Sequence, residues 1–191
     1  MISVIIPNKA GRPILTDLRH QTFGGDMEVI IIRDKELKGQ SWAINKGLNI
    51  AKGRFAMFLD DDLTLDPNLL RRLHAALAKS SADIAYCNFN RTGAVTGVFF
   101  SRPWNVQALR LGNYISNCSM VRRSTAVRFD EDIHRLKDWD YWLTMAGRGS
   151  TGVYVNDVLF SAHYQAGDIS SSNKGYAEAV KKVRKKHNLM P

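Results

Sequence analysis

Cysteine is scarce in this chain, with two among 191 residues, Cys87 and Cys118. Both sit in apolar runs with no CxxC spacing, which suits buried free thiols and argues against a zinc ribbon or a disulfide framework. Long apolar runs are missing too: nothing reaches the roughly 18 residues that a membrane-spanning helix needs. Met1 to Pro7 lacks the basic start and small-residue cleavage site of a signal peptide, so the expected location is cytoplasmic. Internal repeats and low-complexity linkers are also absent, which excludes solenoids and tail-dominated proteins. Acidic residues are in deficit, 18 Asp and Glu against 27 Lys and Arg, leaving a net charge of +9. An anionic partner follows from that balance: a nucleotide diphosphate, a phospholipid surface or a nucleic acid. No helix-turn-helix, zinc-finger or RRM signature selects the last of these.

What is present is an alternation of short apolar runs and amphipathic segments. Ile2–Ile6 and Glu28–Ile32 are β-branched and too short for independent helices, so they read as buried strands. Between them Pro13 suits a first helical turn, followed by Ile14, Leu15 and Leu18 at helical spacing. Ser41 to Lys52 reads as a helix with Ser41 as N-cap, and Phe55–Leu59 as a third strand. Asp66 and Pro67 have N-cap and N1 chemistry before Leu69, Leu70, Leu73, Ala76 and Leu77. This pattern predicts an α/β fold with a mostly parallel central sheet flanked by helices. Farther along, Ile84–Phe89, Val95–Phe100, Cys118–Val121, Val153–Val155 and Val158–Ala162 read as strands. Asp138–Ala146 and Tyr176–His187 read as helices, while Arg102–Gly112 is ambiguous.

The third strand ends in Asp60-Asp61-Asp62. Adjacent carboxylates repel one another, and an oxygen-rich anionic cluster suits Mg²⁺ or Mn²⁺. In open α/β sheets ligands collect beyond the carboxyl ends of the strands, which is where this triplet falls. Taken alone, it also fits a solvated turn.

Several segments together carry a resemblance to one family. Ser3–Pro7, Glu28–Asp34, Asn45-Lys46-Gly47 through Ala51–Arg54, and Phe58–Asp62 resemble glycosyltransferase family 2 in order and spacing. The resemblance continues through Phe129-Asp130-Glu131 and Lys137–Leu143, and so spans roughly residues 2–165. It implies a GT-A fold, with residues 1–165 as one catalytic domain. Within it, 1–80 would be the nucleotide-sugar half and 81–165 the acceptor half; 166–191 would hold a polar loop and a basic helix. It further implies a metal-dependent, inverting, hexosyltransferase-like enzyme using Mn²⁺ or Mg²⁺ and a nucleotide-diphosphate sugar, a UDP-sugar first. Asp60 would lie near the donor ribose and share the metal with Asp62, with Asp61, Pro7, Asn8 and Asp34 completing the donor site; Asn45 would orient the donor loop or simply satisfy backbone. Asp138 would be the general base, since a carboxylate within hydrogen-bond reach can take the acceptor hydroxyl's proton.

Two positions depart from the family pattern: Arg33 stands where an Asp is common, and Lys137 where a Glu is. Arg33 could meet a phosphate, and Lys137 would lower the pKa of Asp138. Asp138 also has N-cap chemistry for the helix it opens. These departures leave open a non-catalytic nucleotide-binding module, and the basic surface leaves open a protein acting on nucleic acid, DNA glycosylation included. A nucleotidyltransferase is disfavoured, because its N-terminal Gly-rich phosphate loop is absent. The acceptor stays open among glycans, lipid-linked sugars and nucleic acid.

His163, after an apolar strand, is a candidate third metal ligand as well as a structural histidine. Residues 167–172 read as a polar stretch able to close over a donor. Trp139, Tyr141 and Trp142 share a helical turn, so one of them is expected to stack on a sugar while Trp142 packs in the core. Asn113, Asn117 and Arg122 rank below the carboxylates as contacts to acceptor or phosphate. The run Lys181, Lys182, Arg184, Lys185 and Lys186 is a solvated face or a docking site for an anionic membrane or DNA.

Overall fold

Strand β1 (Ile2–Asn8) alternates its side chains between two apolar clusters. Val4 and Ile6 join one, while Ile5 joins the other. Strand β3 (Phe55–Phe58) divides in the same way, with Phe55 and Met57 on the first face and Ala56 and Phe58 on the second. A sheet covered on both faces needs strands apolar at every position, which accounts for the unbroken apolar runs in the sequence. A computed structural model describes residues 1–8, 14–165 and 175–189. Pro13 and the 167–172 stretch lie outside them.

The remaining elements are α1 (Ile14–Arg19), β2 (Met27–Arg33), α2 (Gln40–Ile50), β4 (Leu63–Leu65), α3 (Leu69–Ala78), β5 (Ile84–Gly93), β6 (Gly97–Phe99), α4 (Val106–Leu111), β7 (Met120–Arg122), α5 (Lys137–Gly147), β8 (Gly152–Tyr164) and α6 (Tyr176–Lys186). Among the described residues they build one sheet in the order β2-β1-β3-β7-β5-β8-β4, with β6 paired to β5. The α/β architecture is as expected, and the sheet is mixed. β2, β1 and β3 run parallel, as do β5 and β8, whereas β7 is antiparallel to both β3 and β5. The parallel joins of β2, β1 and β3 follow the β-α-β units of the first half; β7 comes from a long excursion and enters from the opposite direction.

Helices α1 and α3 cover the first face through Ile14, Leu18, Leu69, Leu73 and Leu77; α2 and α5 cover the second through Ile44, Trp142 and Met145. Each such fully buried large apolar side chain contributes about 1.5–3 kcal/mol. Helix α2 lies so close to β1 that a Cβ on Gly47 would stand 2.3 Å from Ile5 Cγ2. Its N-cap is Gly39, not Ser41, and no side chain caps it. Asp66 sits in the turn before α3, accepting from the amide of Asn68, which is that helix's N-cap residue. The two strands expected within 153–162 are one long β8, whose pairing with β5 shifts register around Asn88.

Candidate active site

The strand ends fix the first part of the site. Asn8 ends β1 in register with Arg33 at the end of β2, and Asp34 follows directly. Asp60 follows β3, so Pro7, Asn8, Asp34 and Asp60 share the carboxyl edge of the parallel strands. Pro7 is buried, Arg33 and Asp62 are exposed, and Asp60 and Asp61 are half-buried. Asp34 closes a turn by accepting from the amides of Lys38 at 3.0 Å and Gly39 at 2.6 Å. Partial burial works against its charge, but the amides of Gly39, Lys38 and Glu36 outweigh it and hold the carboxyl below its ordinary pKa. Asp60 accepts from Gln40 Nε2 at the start of α2 and from Asn117 Nδ2 at 3.3 Å.

Asp138 approaches from the other side. It lies in the first turn of α5, whose N-cap is Leu136 at φ 58°, so Asp138 is not the cap. Its Oδ2 accepts from Asn113 Nδ2 at 2.8 Å and its Oδ1 from the Trp139 amide at 3.0 Å. Burial pushes its pKa up. Lys137, the local amides and Asn113 pull the other way and lose, which overturns the expectation that Lys137 would set a low value. A carboxylate with a raised pKa is the better proton acceptor near neutrality.

Asp60 and Asp138 line one cleft of about 580 Å³, 78 residues apart in sequence but joined by Asn113 and Asn117 from a single segment. Leu63, Phe89, Phe99 and Phe160 add apolar wall, and Tyr164 stands half-buried among them. A second depression, of about 520 Å³, is lined by Asp66 and Asp157, which are taken up by the Asn68 amide and by Arg72.

Other expected residues fall elsewhere. Asn45 is fully buried; its side chain bonds the Phe129 carbonyl, the Phe129 amide and Glu131, clamping α2 to that loop instead of facing a ligand. His163 is exposed, 3.2 Å from Thr92 Oγ1, while its neighbours Ala162 and Tyr164 face the cleft, as strand alternation requires. Arg122 ends α3, donating to the carbonyls of Leu77, Ser80 and Ala82, so it meets no phosphate. Trp139, Tyr141 and Trp142 are all buried, because α5 is enclosed on every side; the indoles of Trp139 and Trp142 donate to the Leu109 and Ile115 carbonyls. The basic α6 turns part of its charge inward: Lys186 and His187 contact the buried Asp140 at 2.8 and 2.7 Å. Cys87 and Cys118 are buried thiols, and burial pushes the former to a pKa of about 12. Gln40, Tyr164 and Arg91 carry no motif, and only their position in the folded chain marks them.

A family model described as glycosyl transferase family 2 matches residues 10–129. The chain belongs to glycosyl transferase family 2. A family 2 relative from Escherichia coli, UDP-Glc:alpha-D-GlcNAc-diphosphoundecaprenol beta-1,3-glucosyltransferase WfaP, is 26% identical over 159 residues, covering 77% of this chain and 60% of the relative. The chain thus spans about three fifths of that protein's length. An uncharacterized glycosyltransferase of Bacillus subtilis (strain 168), YwdF, is 23% identical over 199 residues, covering 97% of this chain and 73% of the relative. Among solved structures, S. aureus TarS 1–349 in complex with UDP-GlcNAc has a TM-score of 0.75 at 16% identity, covering 97% of this chain and 66% of that one. Glucosyl-3-phosphoglycerate synthase from Mycobacterium tuberculosis, in complex with Mn²⁺, UDP and phosphoglyceric acid, has a TM-score of 0.65 at 15% identity, covering 100% and 79%. These likenesses establish the GT-A fold.

Among the described residues no helix is long and apolar enough to cross a membrane, and no group of three or more His, Cys, Asp or Glu could by itself hold a metal ion.

Proposed function

We propose that this chain is a metal-dependent, inverting glycosyltransferase that takes a hexose from a UDP-sugar and places it on an acceptor hydroxyl, with Asp138 as general base. The observation that carries this reading is the single cleft lined by both Asp60 and Asp138. Donor chemistry is supported by the E. coli relative, which by its name uses UDP-Glc, and by the structural neighbour that holds UDP-GlcNAc.

The residues fit a divalent ion. Mg²⁺ and Mn²⁺ sites of this kind take one or two carboxylates and are completed by water and substrate phosphates, so no closed cluster of protein ligands is required. Asp60 and Asp62 supply such oxygens. Beside Asp60, the Oδ1 of Asn117, on a side chain 6% exposed, has no hydrogen-bond partner among the described residues and leaves a buried acceptor open to a ligand. A bound ion would offset the charge gathering on the departing diphosphate.

The chain's own groups do the rest. Asp138 accepts the acceptor's proton as that oxygen bonds to the anomeric carbon and the bond to the UDP oxygen breaks. Attack opposite the leaving group inverts the anomeric configuration. Asn113 holds the Asp138 carboxylate in place, while Gln40 and Asn117 hold Asp60.

Thermal-shift titration of UDP with and without Mn²⁺ tests the donor site. A shift that needs Mn²⁺ and disappears in Asp60→Ala and Asp62→Ala is expected; no shift in the wild type would sink the reading. NMR of the product anomer tests inversion.

A further inference from the structure

Apart from Asp60 and Asp138, the permanently ionised groups lining the cleft are cations. Arg91 comes from the end of β5, Arg135 and Lys137 from the segment that leads into Asp138, and Arg184 from α6. All of them are half-buried. Among the described residues neither Arg91 nor Lys137 forms an ion pair. Lys137 is offset only through space by the neighbouring Asp138, so both cations retain charge that an arriving anion can pair with.

The guanidinium groups are also held in place. Arg91 lies 6.0 Å from the centroid of the Phe99 ring and donates through Nε to the Gly97 carbonyl at 3.3 Å. Arg135 lies 5.2 Å from the Tyr176 ring. Stacking of this kind fixes a guanidinium with less rotamer freedom left to lose on binding. Tyr164 feels the charges of Arg91, Asp138 and Asp60 together, which gathers all three around one side chain of the cleft.

Cations from chain segments this distant, meeting inside an enclosed cleft next to the base, differ from a basic stripe on an open surface. An open stripe suits a nucleic-acid backbone, whereas a walled cleft of about 580 Å³ suits a compact terminal group. The donor's diphosphate is assigned to the Asp60 end, which leaves the charge around Asp138 for the other substrate. We propose that this end of the cleft binds a phosphate or diphosphate ester carried by the acceptor, so that the enzyme glycosylates a phosphorylated acceptor and not a neutral glycan. The inference rests on the glycosyltransferase reading above.

Isothermal titration of the full chain in EDTA separates the two claims, because the metal-dependent donor site is silent there. The probes are glucose 1-phosphate and farnesyl diphosphate, with glucose and a short DNA duplex as comparisons. Both phosphorylated probes are expected to bind, more weakly as salt rises, while glucose does not. Arg91→Gln and Lys137→Gln should each weaken the phosphorylated probes about tenfold or more, and Arg91→Lys less than Arg91→Gln. UDP with Mn²⁺, titrated on the same variants, reports that fold and donor site are intact. Glucose binding as well as the phosphates, unchanged affinity in both Gln variants, or tighter binding of the duplex would each overturn the inference while leaving the donor reading standing. Failure of UDP and Mn²⁺ to bind the wild type would instead remove the reading beneath it.

Discussion

Replacing Asp138 by Asn separates catalysis from folding. Asn has nearly the same shape and keeps one acceptor oxygen, for the Trp139 amide; its NH2 replaces the oxygen that met Asn113 Nδ2, and it cannot take up a proton. A general base contributes about 10²–10⁴-fold, so UDP-forming turnover should fall by about that factor, or about 2.7–5.5 kcal/mol of transition-state stabilisation. UDP affinity in Mn²⁺ should not move. Stability runs the other way. Burial raises the Asp138 pKa above 3.8, so the folded chain holds this proton more tightly than the unfolded one. The resulting contribution is fully present below the unfolded value and is lost as pH rises through the folded value. As pH rises through the folded value the wild type takes on the penalty of an ionised, desolvated carboxylate, which the Asn variant never carries. The Tm of the Asn variant relative to wild type should therefore rise with pH, the lost Asn113 bond setting an offset that pH does not change. The measurements are UDP release with a coupled assay and calorimetry across pH. Turnover within tenfold of wild type would refute the base assignment; a Tm difference that stays flat across pH would refute the account of its pKa.

Three further outcomes follow from the same contacts. Asn113→Leu removes a group that holds the Asp138 pKa down, so the acid limb of the kcat/KM profile should move to higher pH, with activity partly recovered in alkali. Asn45→Ala leaves the amide and carbonyl of Phe129 without their side-chain partner and should cost about 3 kcal/mol in chemical denaturation, with UDP binding retained in the folded fraction. Asp140→Ala strips Lys186 and His187 of a carboxylate only 1% exposed; with Lys186 itself 36% exposed the loss is discounted to about 1–3 kcal/mol, read as faster hydrogen exchange over residues 176–189.

The first eighty residues were readable because the rules that govern them are local. Short unbroken apolar strand runs and helices such as Leu69–Leu77 declare themselves within a dozen residues. Beyond Ser81 the decisive pairings are not local: β7 enters antiparallel between β3 and β5, and the register shift near Asn88 makes one long strand look like two. The same divide runs through the site. Asp60 announced itself by its charged neighbours and its place after a strand. Asp138 was reached through family resemblance, since no spacing rule links it to Asp60. Asn45 looked like a donor contact because its neighbours match the family, yet a buried amide beside the backbone of Phe129 is consumed by that backbone. Alternation along β8 sends His163 away from the cleft and Tyr164 toward it, a distinction that depends on register.

Asn113 and Asn117 repay a closer look, because they tie the two acids to one strut. Asn113 binds Asp138 and Asn117 binds Asp60. Between them the Ile115 carbonyl takes the Trp142 indole N–H at 3.1 Å and the Ile115 amide returns to Asn113 Oδ1 at 3.2 Å. Just beyond, the Ser119 hydroxyl bonds the Ser116 carbonyl at 2.7 Å and the Ser119 carbonyl takes the Phe58 amide at 3.2 Å. The strut is therefore anchored to α5 at one end and to β3 at the other. An in-line displacement needs the base and the leaving group on opposite sides of a single carbon, and small misplacements there are expensive. Fixing both acids to one short segment sets that separation without relying on how α5 happens to pack against the sheet.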